Sequence, residues 1–370
     1  MSVGAWLLVA AALAESPKVV LLTIEPGEDF VSKAGHATLC IDTVDDKNHG
    51  TCYNFGSTKT SDELALTLNY LRGTATFWVS TPSYNSVLKG HGLKYDRTIW
   101  RQDLALPEED AWNLVEALRT AALPENKFYR YDHFNDNCTS RLRDAIDRAT
   151  NGALSRGSEG PYTESWRSVA RHRLAGLPWF LVGAELAGRP ADGVPTVWQA
   201  MVLPEVLRAE VAKRLGAPAR RVHIRGGYAL GVGNTRGGAL WIIGGGALFG
   251  WATAMAGRWR PRAGRLVGGT TAVLLGIAGI GCTALFFVST LAEVRHNEMH
   301  AVFFAPDLLI PLLTPAWRRG YLTTRIAGLI GVMLLAGIGV FTQPTWPALA
   351  VLLALLGLVV TEWTPPRSAP

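Results

Sequence analysis

The chain has 370 residues, a formal charge of +6, and 48% hydrophobic against 18% charged residues. That balance leaves room for two domains and excludes both a disordered chain and a wholly solvated one, because the apolar residues are concentrated beyond Gly237. The positive excess is mostly arginine beside those apolar runs, so it calls for no nucleic-acid partner.

Residues 1–14 hold a short apolar core (5–13) ending in Ala12-Leu13-Ala14. This small-x-small pattern marks a secretory signal cut before Glu15, or an anchor left in place, although no Lys or Arg precedes the core. Residues 15–233 then read as an exported α/β domain. "KVVLLTI" is a strand by β-branched content and ends at Pro26-Gly27; "HATLCI" and "TCYNFG" form a hairpin about "DDKN" (45–48). "ATFWVST" and "DRTIWRQDL" add strands. "PEEDAWNLVEALRTAAL" is an amphipathic helix with Pro107 at its start and Trp112, Val115, Leu118 and Ala122 along one stripe.

Four cysteines are present: Cys40, Cys52, Cys138 and Cys282. The hairpin sets Cys40 and Cys52 opposite one another, as a cross-strand disulfide or as two buried thiols. Either way Cys138 is an unpaired thiol in an oxidising compartment. In "NDNCTSRLRDAID" Asn137 is a helix N-cap and Cys138 the first helical residue, ahead of a stripe of Leu142, Ala145, Ile146 and Ala149. The helix dipole there favours the thiolate, the form that attacks carbonyl carbon. The first amides of the helix, at Asn137 and Thr139, are the natural donors for an oxyanion.

A base is expected from His36. Alternation puts His36, Thr38 and Cys40 on one strand face, with Asn54 diagonal to His36 across the hairpin as its orienter; Tyr53 takes that role if the register slips by one. His49, His91 and His133 are other imidazoles within reach. The plain alternative is an inert buried cysteine with a structural histidine. Arg141 and Arg143 are candidate lipid-phosphate contacts, or else salt-bridge partners of Asp144 or Asp147.

Beyond the glycine-rich linker "GGYALGVGNTRGG", residues 237–363 contain about five hydrophobic spans: 238–256, 266–288, 300–315, 326–341 and 348–362. Helices of a soluble bundle would need polar faces, which these lack, so a transmembrane α-helical bundle is expected. The third span is short and holds Pro306, Asp307 and Pro311. Arg258, Arg260, Arg262 and Arg265 crowd one connection and Arg318, Arg319 and Arg325 another, which makes those ends cytoplasmic and the α/β domain extracytoplasmic. Arg220, Arg221, Arg225 and Arg236 precede the first span on the outer side, as a solvated surface or against lipid phosphates. No metal-ligand spacing or phosphate-cradling loop is present, and no cofactor is implied.

"LLTIEPGEDFVSKAGHATLCI", "CYNFGS", "ENKFYRYDHFNDNCTSRLRDAID" and "GVPTVWQAMVLPEVL" resemble the Lnb N-terminal periplasmic domain family across residues 18–207. "HNEMHAVFFAPDLLIPLLTP" is similar to the membrane part of such proteins, with Asp307 where a polar amide is expected. The resemblance implies a multi-pass protein of the bacterial inner (cytoplasmic) membrane with its catalytic domain in the periplasm. It implies lipoprotein N-acyltransferase activity: an acyl chain moves from a membrane phospholipid, through a thioester on Cys138, to the α-amino group of a diacylglyceryl-cysteine lipoprotein. More distantly, the His-first, Cys-later order is similar to permuted papain-like folds of the NlpC/P60 and lecithin:retinol acyltransferase kind, whereas standard cell-wall cysteine peptidases place Cys before His. The rival readings are a membrane-anchored cysteine hydrolase of peptidoglycan, peptide or lipid, and a non-enzymatic module that binds lipoprotein or lipid.

Overall fold

The computed structural model describes residues 16–28, 32–42, 50–58, 62–174, 177–227 and 237–363. The expected signal segment 1–14, the expected "DDKN" turn, His49 and Arg236 lie outside the described residues.

Strands β1 (Lys18–Ile24), β2 (His36–Asp42), β3 (Thr51–Ser57), β4 (Thr76–Ser80), β5 (Ile99–Leu104), β6 (Phe128–Arg130) and β7 (Arg220–His223) form one antiparallel sheet in the order β6-β4-β3-β2-β1-β5-β7. Helices α1 (Glu63–Arg72), α2 (Tyr84–Val87), α3 (Glu108–Ala122), α4 (Cys138–Ala149), α5 (Trp166–Leu174), α6 (Pro178–Leu186), α7 (Val197–Ala200) and α8 (Pro204–Arg214) complete this part.

Strand alternation divides the sheet cleanly. Val19, Leu21, Ala37, Leu39, Tyr53 and Phe55 face a core filled by Leu114, Leu118, Leu142, Ile146 and Leu207 from α3, α4 and α8. Their neighbours Val20, Leu22, Ile24, Cys40 and Cys52 pack on the opposite face with Val87 and Ile99. Cys40 pairs with Cys52 in the β2–β3 register, and the two are joined by a disulfide. The α3 stripe is centred on Ala111, Leu114, Val115 and Leu118, with Trp112 and Ala122 at its margin.

Beyond the exported part lie α9 (Gly237–Trp259), α10 (Pro261–Val288), α11 (Ala292–Arg295), α12 (Pro315–Gly337) and α13 (Trp346–Trp363). Three helices are long and apolar enough to cross a membrane, at Gly238–Trp259, Pro261–Val288 and Pro315–Gly337; Trp346–Thr361 is a shorter apolar helix. The expected third span is instead 3-10 turns at Glu298–Ala301 and Ala305–Leu312, the latter packed along α10. Two prolines bracketing Asp307 withhold the amides that an α-helix would need.

The expected fourth span also changes. Thr314 and Pro315 start α12 eleven residues early, so Arg318, Arg319 and Arg325 lie on the helix and not in a loop. Arg325 is buried: its Nε lies 3.1 Å from Asp307 Oδ1, its guanidinium also bonds the Val302 carbonyl, and Tyr321 Oη donates to Asp307 at 2.7 Å. A charge neutralised inside the bundle carries no topological signal, so orientation rests on the remaining arginines.

The far end of α10 meets the exported part. The Thr290 amide donates to the Arg72 carbonyl at 3.2 Å, Gly188 N–H to the Glu293 carbonyl at 2.6 Å, and Gln343 Nε2 to the Ala187 carbonyl at 2.7 Å. The α9–α10 connection with its arginines lies at the opposite end of α10, about 42 Å away at 1.5 Å per residue.

The disulfide closes a short loop, and its loss frees that entropy in the unfolded chain. Replacing both partners (Cys40→Ser with Cys52→Ser) is expected to lower stability by roughly 3 kcal/mol. Thermal unfolding in detergent, compared with the unaltered protein, measures the loss.

Candidate active site

Asn137 sits in extended conformation and its Oδ1 accepts the amides of Thr139 and Ser140, each at 2.8 Å, while Ser140 Oγ accepts the Asn137 amide at 2.8 Å. Asn137 Nδ2 in turn donates to the carbonyls of His133 and Val202 at 2.9 and 3.1 Å. This box fixes the start of α4 and, among the described residues, leaves the Cys138 amide without a partner. The Thr139 amide is committed to the cap, so it is not the oxyanion donor expected of it. Thr139 Oγ1 lies 3.7 Å from Cys138 Sγ.

Cys138 is 8% exposed and belongs to the core on the α4 side of the sheet, whereas His36 and Asn54 lie on the other side. Gly56 lies beside both. Its φ is +91°, in the region that favours glycine, and a Cβ there would lie 3.4 Å from Cys138 Cβ and 3.9 Å from His36 Cε1. Here the sulfur faces the His36 ring and the Ala37 amide.

Asn54 Oδ1 closes on His36 Nε2 in a short hydrogen bond. The amide is held in that sense because Asn54 Nδ2 donates to Ser57 Oγ at 3.3 Å and Ser80 Oγ at 3.2 Å, hydroxyls that also bond each other at 2.7 Å. Since Oδ1 only accepts, His36 carries its proton on Nε2 and presents Nδ1 to the sulfur. Tyr53 is not the orienter: its side chain is in the core on the far face, and its carbonyl accepts from Thr38 Oγ1.

Burial alone would push the Cys138 thiol up. The facing imidazolium, the hydrogen bonds from His36 and Thr139, and the Ala37 amide outweigh it, and the thiol is brought down to about 7. Burial likewise opposes charge on His36, yet the Cys138 thiolate and its hydrogen bond, with Asn54, raise the imidazole above its ordinary value. The pair therefore favours thiolate and imidazolium, a nucleophile with its proton stored beside it.

Next to His36 is His91, ring centroids 5.4 Å apart, on a π-helical stretch Leu88–Lys94. Burial, then the charges of His36 and Arg97, pull His91 down to about 3, so it is neutral. Arg97 Nη1 is 3.3 Å from His91 Nδ1 and its Nε donates to the Glu25 carbonyl at 2.8 Å. A cleft of about 690 Å³ opens here, with His36, Asn54 and Gly56 on one side and Lys94, Arg97 and Arg225 on another. His133 is elsewhere, half-buried against Tyr70, Tyr131 and Phe134.

The arginines expected at phosphate are engaged within the protein. Arg141 pairs with Asp136 at 2.6 Å and stacks on Tyr129; Arg143 pairs with Asp144 at 2.7 Å, donates to the Trp198 carbonyl and stacks on its ring. Upstream of α9, Arg221 stacks on Trp100, Arg220 is 3.7 Å from Asp103, and Arg225 is 3.5 Å from Glu28. Sequence reading missed Gly56, Ser57, Ser80 and Arg97. Only the Asn-x-x-Ser spacing from Asn54 to Ser57 hinted at any of them. Among the described residues no group of His, Cys, Asp or Glu could hold a metal ion.

A thiol, an imidazole and an amide in line, on an antiparallel sheet tied to membrane-capable helices, define a membrane protein with a cysteine–histidine site outside the bilayer. The model of the Lnb N-terminal periplasmic domain family matches residues 6–172, so this part of the chain is similar to that family. The matched stretch contains Cys138, His36 and Asn54 and ends before the 193–207 block that also carried the resemblance. The match points to an Lnb-like enzyme of lipoprotein processing with a periplasmic domain. No curated protein and no solved structure matches the chain.

With thiolate favoured by His36, alkylation of Cys138 should rise with pH through a midpoint near 7. In His36→Gln the opposing charge is gone while burial remains, so the midpoint should move above the ordinary thiol value of about 8.5. Mass-spectrometric alkylation rates across pH 5–10 (on the order of one point per half unit) check this, and an unmoved midpoint contradicts the coupling.

Proposed function

We propose that the protein is a thiol-dependent acyltransferase of lipoprotein maturation, taking an acyl chain from a membrane phospholipid and passing it to the α-amino group of a diacylglyceryl-cysteine lipoprotein. The observation that carries this reading is the Cys138–His36–Asn54 array, with its buried thiol of lowered pKa, in a chain continuous with membrane-capable helices. The family match supports the lipoprotein context. The His-first order, with Cys138 at a helix start against an antiparallel sheet, supports a permuted papain-like arrangement. In this reading residues 1–14 are the export signal, 15–233 the periplasmic acyltransferase domain and 237–363 the inner-membrane domain.

The steps balance without a cofactor. His36 Nδ1 takes the Cys138 proton and the thiolate attacks the ester carbonyl; a C–S bond forms, the C–O bond breaks, and the imidazolium returns its proton to the departing lysophospholipid oxygen. The amine then attacks the thioester; a C–N bond forms, the C–S bond breaks, and the amine proton leaves through His36. The free Cys138 amide at the head of α4 is the natural oxyanion donor. Asn54 keeps the imidazole in the tautomer that both halves need. Burial of the thiol disfavours water as the second acceptor.

One observation favours a second reading. The cleft beside His36 is lined by Glu28, Lys94, Asp96, Arg97 and Arg225, a polar wall that also suits a peptide, so a thiol hydrolase is the alternative.

The test uses the full chain in vesicles with a phospholipid bearing isotopically labelled acyl chains and an unlabelled diacylated lipoprotein. Labelled amide on the lipoprotein N-terminus is the expected product, with a labelled thioester trapped on Cys138. Cys138→Ser should remove activity by about three orders of magnitude or more, and Asn54→Ala should reduce it about tenfold to a hundredfold. An amide carrying unlabelled acyl from the lipoprotein's own glyceryl ester moves the donor from phospholipid to acceptor. Free fatty acid or cut peptide supports hydrolysis, and transfer surviving Cys138→Ser removes the mechanism.

A further inference from the structure

Helix α1 has two apolar sides, and the site accounts for only one. Leu66 and Tyr70 turn inward onto the core, where the Tyr70 ring stands 6.5 Å from Tyr131 and 6.4 Å from His133. On the outward side Leu64 and Leu68, one turn apart, are 68% and 44% exposed. Leu71 continues the same i, i+4, i+7 stripe, and Asn69 and Arg72 stand exposed beside it. Leucines in such a row at a water-facing surface forgo the gain of burial.

What covers them is indicated by where the helix ends. Gly73 caps α1 with φ +71°, and that cap is fastened to the end of a spanning helix. Thr290, two residues beyond the end of α10, donates its amide to the Arg72 carbonyl at 3.2 Å, and its hydroxyl lies 3.4 Å from the Arg72 carbonyl and 3.5 Å from that of Gly73. The last turn of α10, a helix long and apolar enough to cross a membrane, leaves Phe287 75% and Val288 53% exposed. The leucine stripe thus lies on a helix whose end is joined to the exposed apolar end of α10.

We propose that α1 is an interfacial helix whose Leu64–Leu68–Leu71 stripe is immersed in the outer leaflet, with Arg72 at the phosphate level. The occupant of this face is lipid, because the face adjoins the membrane surface of the same molecule. Its inner side then forms a wall between the bilayer and Tyr131, seven residues before the thiol. The assignment of lipid to this surface does not depend on the acyl-transfer reading.

The experiment places single cysteines by Leu64→Cys, Leu68→Cys, Glu116→Cys and Phe287→Cys in a Cys138→Ser, Cys282→Ser background that keeps the Cys40–Cys52 bridge. Each is labelled with a nitroxide in phosphatidylglycerol–phosphatidylethanolamine nanodiscs, and collision with oxygen is compared with collision with a water-soluble nickel chelate. Labels at 64 and 68 should behave like that at 287, with the oxygen-to-nickel ratio several-fold above that at 116. A ratio equal to that at 116 overturns the proposal, and so does low access to both reagents, which would mean that protein covers the stripe. Photolabelling of the unaltered protein with a diazirine-bearing phospholipid is the second measurement: label on Leu64 or Leu68 supports immersion, and label confined to 237–363 overturns it.

Discussion

The structure depends on bringing a sulfur anion and an imidazolium together out of water. Neither charge alone is tolerable there, because burial opposes the ionised form of both Cys138 and His36. Facing each other they reverse that penalty, and the rest of the local architecture serves to keep them facing. The helix cap at Asn137 aims the sulfur, Gly56 gives the strand end beside it the positive φ it needs, and the Ser57–Ser80–Asn54 brace holds the ring. His91 contributes by remaining neutral: a second cation 5.4 Å from His36 would work against the first.

Much of this was legible in the chain itself, and the part that was not has a common cause. Period-two alternation is a local rule, so it sufficed to place His36, Cys40 and Asn54 on one face and to set Cys40 against Cys52. Cap chemistry is equally local, and Asn137 with its amphipathic stripe announced α4. Ser80, Arg97 and His91 come from other strands and turns, and nothing in their own neighbourhoods encodes the distance to His36. Gly56 could have been suspected only by asking which residue stands across from His36 at the strand end. The short strands β6 and β7 were missed because three or four residues carry too little pattern.

The membrane part shows the same limit from the other side. Hydropathy located the apolar stretches but could not tell that Arg325 is cancelled by Asp307, eighteen positions away, and so is no loop charge. The start of α12 was written locally, in Thr314-Pro315, and was overridden by a run of arginines that looked like a connection. The 3-10 segment before it follows from prolines at 306 and 311, a break evident in the sequence although its geometry was not.

The spacing of the cysteines also governs how the chain matures. Cys40 and Cys52 are separated by 12 positions, whereas either would have to close a far longer loop to reach Cys138. Chain entropy disfavours that wrong pairing by roughly 2 kcal/mol before any native structure forms. Early oxidation therefore consumes the two neighbouring sulfurs with each other and leaves the third reduced, to be enclosed later as α4 docks. The bridge acts as a decoy that spares the reactive thiol during oxidative folding.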